Sequence, residues 1–134
     1  MAEREWNFVN SLSYLYNAFA IYTDAELSDE EMNVIRNCVS EWCPDLSRNE
    51  IHTSLNDTLA WFKEDLTVDL TNEDSNKVAE TCVGIAAVAK ENLTEANCKA
   101  IVEDLVRIGQ ADGKFDDREQ HWASVLSEAM GVSE

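Results

Sequence analysis

At 134 residues the chain has the length of a single domain, 1–134, built on one hydrophobic core. A content of 45% hydrophobic and 8% aromatic residues excludes a disordered acidic tail. The formal charge of −17 repels phosphate backbones and anionic headgroups, so nucleic acid and bare membrane are disfavoured as partners, and cations or a basic protein surface are favoured.

Helical periodicity runs through the chain. Met1 to Asn7 lacks a basic segment followed by an apolar run, so no signal peptide is expected there, and no apolar stretch approaches the ~20 residues that cross a bilayer. Val9, Leu12, Tyr16 and Phe19 then mark one apolar stripe, and Ile35, Cys38, Val39 and Trp42 mark a second. Pro44 stops that helix, Ser47 with Glu50 forms a capping box, and Ile51, Leu55, Leu59, Phe62 and Leu66 give a third helix its buried face. Thr67 to Asp74 reads as a bend.

Val78, Cys82, Ile85, Ala86 and Ala89 form the fourth stripe, and the small residues around Gly84 point to a central helix against which neighbours pack. Asn92 to Thr94 breaks it, Cys98, Ile101, Leu105 and Ile108 make a fifth helix, and Trp122, Val125, Leu126 and Ala129 make a sixth closed by Gly131. With no sustained period-two alternation, the fold class is all-α, a compact bundle of about six to seven helices. Cys38, Cys43, Cys82 and Cys98 form no CxxC pair and fall mostly among apolar residues, which predicts reduced core thiols in a cytoplasmic protein.

One string occurs twice. Asp24-Ala25-Glu26-Leu27-Ser28-Asp29-Glu30-Glu31 superposes without a gap on Asp112-Gly113-Lys114-Phe115-Asp116-Asp117-Arg118-Glu119, at an offset of 88 residues (112 − 24). Downstream, Val34 falls over Trp122, Ile35 over Ala123, Cys38 over Leu126 and Trp42 over Met130, which predicts an internally duplicated helix-loop-helix. Ser28 with Glu31, and Asp116 with Glu119, read as capping boxes, with Leu27 and Phe115 as hydrophobic staples. Capping has no use for Asp24 and Asp112. A hard divalent cation would be held by such carboxylates together with loop carbonyls. The spacing is not that of an EF-hand, whose loop closes on an acid at the twelfth residue with glycine at the sixth.

The string Ala111 to Glu119, followed by an apolar helix ending at Met130-Gly131, resembles the C-terminal signature of the tellurite-resistance TerB-like family, and Asp24 to Glu31 resembles its N-terminal copy. The resemblance implies an all-helical, internally duplicated domain in bacterial responses to tellurite and other chemical stress. It further implies a divalent metal ion on Asp24, Glu30 and Glu31 in the first copy and on Asp112, Asp116 and Glu119 in the second. Ala25 replaces the glycine of the second copy and Arg118 replaces the acid at Glu30, so the two copies are not equivalent, and Asp112 and Glu119 are the favoured ligands.

Enzyme chemistry finds little support. His52 and His121 are the available near-neutral bases, and neither belongs to a GxSxG, phosphate-cradling or HExxH motif. Two non-enzymatic readings follow: a metal-binding stress domain, or an acidic interaction module presenting Trp6, Phe8, Tyr14 and Tyr16 to a protein partner or a second copy of the chain. Burial of all four aromatics would remove the motive for the second reading.

Overall fold

The computed structural model describes residues 6–24, 29–110 and 117–132, and the backbone alone of 22–24, 118 and 119. Among the described residues there are six α-helices and no strand: α1 (Phe8–Asp24), α2 (Asp29–Trp42), α3 (Arg48–Thr71), α4 (Lys77–Asn92), α5 (Glu95–Gln110) and α6 (Asp117–Ala129). None is long and apolar enough to cross a membrane. Their buried apolar side chains form one continuous cluster.

The central helix is α1 rather than α4. No charged residue occurs between Phe8 and Thr23, and every residue from Leu12 to Ala20 is buried, so α1 is covered on all sides and packs against each of the other helices. Around Gly84, α4 instead presents an open face: Val83, Gly84, Ala87 and Val88 are exposed, and a Cβ on Gly84 would meet none of the described residues within 4 Å.

Local side-chain chemistry sets the helix ends. Asn7 Oδ1 accepts from the Asn10 N–H at 2.8 Å, and Thr94 Oγ1 accepts from the Asn97 N–H at 3.1 Å, so each caps the helix it precedes. The Ser47–Glu50 capping box is complete in both directions. At the other end, Gly131 adopts φ 73°, its N–H bonds to the Glu128 carbonyl, and the Val132 N–H bonds to that of Ser127. This is a Schellman stop for α6, closed by the burial of Val132.

The bend predicted at Thr67 to Asp74 begins only after Thr71. Thr67 and Thr71 turn their hydroxyls back onto the carbonyls of Lys63 and Thr67, at 2.8 and 2.9 Å, within the largely solvent-facing turn that carries α3 on to Thr71. Asp69 on this added turn caps the next helix. Its carboxylate accepts from the Lys77 and Val78 N–H groups at 2.7 and 3.1 Å and from the Ser75 hydroxyl at 2.6 Å, while the N-cap residue Asn76 makes no side-chain cap bond.

Shifted by 88 residues, α2 would run from 117 (29 + 88) to 130 (42 + 88), against 117–129 for α6. The same shift carries α1 to 96–112, against 95–110 for α5.

Candidate functional site

The repeated acidic strings fall where one helix ends and the next begins. Asp24 is the last residue of α1, Glu30 and Glu31 lie in the first turn of α2, and the backbone of Glu119 lies in the first turn of α6. Asp112 and Asp116 lie outside the described residues, as do the side chains of Asp24 and Glu119 and the cap and staple residues Leu27, Ser28 and Phe115. Glu30 is exposed while Glu31 is 1% exposed. Successive helical residues point about 100° apart, so these two carboxylates diverge, and Glu30 is the one that meets solvent and any ion arriving from it. Among the described residues no group of three or more His, Cys, Asp and Glu side chains is gathered to hold a metal.

Two other carboxylates are drawn into the core. Asp104 of α5 accepts on Oδ2 from the Tyr16 hydroxyl at 2.7 Å and from Trp42 Nε1 at 2.8 Å, while Arg107 approaches Oδ1 at 3.4 Å and reaches Glu41 at 3.3 Å. This ties α1, α2 and α5 together at one atom. Asp65 of α3 accepts from the Tyr14 hydroxyl at 2.6 Å and meets Lys77 Nζ at 3.5 Å, joining α1, α3 and α4. The signal for both was present in the sequence, since Asp65 follows Phe62 by three residues and Asp104 follows Ile101 by three, so each sits on an apolar stripe.

These networks lock polar groups in place. Burial and then Asp65 push the Tyr14 phenol well above its ordinary range, and burial and then Asp104 do the same for Tyr16. All four cysteines are free thiols. Burial, then the neighbouring carboxylates Asp104 and Asp65 respectively, push Cys38 and Cys82 up to about 12, and burial alone raises Cys43 and Cys98. His52 and His121 are exposed.

The aromatics of the first helix divide. Tyr14 and Tyr16 are fully buried, whereas Trp6 and Phe8 are 44% and 43% exposed. Trp6 is held edge-on against Tyr14 and Trp61 at centroid distances of 5.4 and 5.2 Å, and Phe8 against Trp42 at 5.7 Å. Together they wall an apolar groove of about 660 Å³ between the start of α1 and the outer face of α4, floored by Leu12, Leu15 and Ile101. The exposed stripe on α4 was legible as small residues at helical spacing, but its openness was not.

No curated protein and no solved structure matches the chain. The tellurite resistance protein TerB family matches residues 17–134, a span that begins within α1 and takes in both helix junctions carrying the acidic string. The chain therefore belongs to the tellurite resistance TerB family.

Proposed function

We propose that this tellurite-resistance domain acts by binding rather than by catalysis, and that it takes a divalent cation at its two acidic helix starts. The observation that carries the reading is the common offset. The acidic strings superpose at 88 residues, and α2 and α6 begin at Asp29 and Asp117, also 88 apart (117 − 29). Each string thus feeds a helix at the same turn, as a duplicated helix-loop-helix would place it. Glu30 brings a solvent-facing carboxylate to the first of these starts, and Asp24 and Asp112 are the acids that capping leaves over. A cytoplasmic setting suits free, largely buried thiols.

Non-enzymatic action is supported by the state of the described side chains. The core phenols and thiols hold their protons, and the two histidines lie exposed on separate helices. Calorimetric titration of calcium, magnesium, manganese and zinc into chelator-stripped protein, beside Asp112→Asn and Asp24→Asn, tests the reading. Heat of binding that weakens in a variant of unchanged helicity supports it, and equal binding by all three proteins would misplace the site.

A second reading, an acidic interaction module for a protein partner or a second copy, is favoured by the exposure of Trp6 and Phe8 beside an apolar groove.

A further inference from the structure

The groove beneath Trp6 and Phe8 has no occupant from the described part of the chain, and its chemistry narrows what would fill it. Its floor is core side chains, its α1 wall is two aromatic rings fixed by edge-on contacts, and its α4 wall is Gly84, Ile85 and Val88. Gly84 weakens a helix relative to alanine, and none of the described residues packs close enough to require it. Its effect is to leave the groove open. A volume of about 660 Å³ accommodates several large apolar side chains.

The charges at the ends of the α4 face set the sign. Glu80 lies one turn before Gly84 and Glu91 one turn after Val88, and all four are exposed, so the face reads acidic, apolar, acidic over roughly 16 Å of helix axis. Lys90 lies beside Glu91, yet the chain as a whole carries −17, which opposes a second copy and attracts a cationic partner.

We propose that this groove is a docking site for an amphipathic helix of a basic partner protein, with apolar anchors between Trp6, Phe8 and Val88 and Lys or Arg at both ends opposite Glu80 and Glu91. It rests on the interaction reading and is independent of the cation. Edge-fixed aromatics give such a helix a preformed surface, which lowers the ordering cost of binding. Carboxylates at the ends fix its register and speed its approach.

The test uses a fluorescein-labelled synthetic peptide of leucine, alanine and lysine, about four helical turns long, with leucines on one face and lysines at both ends. It is titrated into the full chain in the presence of chelator, beside a version with glutamate for lysine and one with the leucines scrambled off the face. The expected result is binding of the first peptide alone, weakened about tenfold by Val88→Glu and by Gly84→Leu. Gly84→Leu should fold at least as stably as the parent, since a Cβ there meets no described residue and leucine favours the helix. Reversing Glu80 and Glu91 to lysine should weaken binding more than reversing the exposed Asp57 and Glu73, which lie off α4.

Equal affinity for parent, Val88→Glu and Gly84→Leu would overturn the groove while leaving a diffuse acidic interaction surface standing, and failure of the basic peptide to bind would overturn both. Equal binding of the glutamate peptide overturns the partner's charge. Self-association abolished by Val88→Glu would assign the groove to a second copy. Uptake of a fluorescent long-chain fatty acid in place of the peptide would assign it to a lipid. Either result overturns the proposal.

Discussion

Tyr16 donates a 2.7 Å hydrogen bond to Asp104, and the two residues are 88 apart, the interval that superposes the acidic strings. Two positions separated by that interval therefore meet in the core, one supplying a donor and the other an acceptor. Trp42 adds a second donor to the same carboxylate oxygen. A hydrogen bond to a carboxylate is worth about 1.5–3 kcal/mol, so Tyr16→Phe should destabilise by that amount in urea unfolding. Asp104→Ala should cost more, on the order of 3 kcal/mol, because it leaves the Tyr16 and Trp42 donors without their acceptor. An Asp104→Ala loss no larger than that of Tyr16→Phe would show the hub to be dispensable.

Asp69 should make stability depend on acid. Burial alone would raise its carboxyl, but the Ser75 hydroxyl and the Val78 and Lys77 N–H groups outweigh that and hold it below the ordinary carboxylate range. A carboxyl depressed in the folded state contributes stability above its unfolded value, about pH 4, and that contribution is lost as pH falls through the folded value. Asp69→Ala should therefore cost about 1 kcal/mol at neutral pH, the usual loss of a helix cap, and progressively less on acidification. A difference between parent and variant that is constant from neutral to acid pH would contradict the cap.

The thiols should react in order of exposure. Cys38 and Cys82 are buried and pushed up to about 12, Cys98 is buried and raised, and Cys43 is half-buried. At mildly alkaline pH, Ellman's reagent should modify Cys43 first and the other three only as fast as the native protein opens, with all four reacting promptly in denaturant. Native Cys38 or Cys82 reacting at the rate of a free thiol would contradict this packing.

Gly84→Ala should stabilise the domain. The glycine is helical, exposed and uncrowded, so a methyl group gains helix propensity without a clash, about 0.5–1 kcal/mol by thermal or urea unfolding. Destabilisation would mean that the α4 face is covered in solution.

The helices were legible in the sequence because their stripes, breaks and caps are local, and the Ser47–Glu50 box and the Gly131 stop appear as read. The identity of the central helix was obscured because burial on all sides is a property of what surrounds a helix. The uncharged run from Phe8 to Thr23 marked α1, whereas the small residues of α4 were open to the opposite interpretation. Asp65 and Asp104 were passed over for a similar reason, since a carboxylate on an apolar stripe acquires its meaning from donors 51 and 88 residues away. Of the proposed cation ligands, Glu30 and Glu31 were read together with Asp24 as one set, and helix geometry sends Glu30 to solvent and Glu31 to the core.

The most direct measurement of the central claim is the melting temperature of chelator-stripped protein with and without each divalent cation, for the parent and for Asp24→Asn with Asp112→Asn combined. An ion held by the folded chain at a hundredfold excess over Kd adds about 2.7 kcal/mol, which would appear as a clear upward shift in the parent. The account predicts that shift for at least one of calcium, magnesium, manganese and zinc, and its loss in the double variant. No shift with any of the four, or the same shift in the double variant, would contradict it.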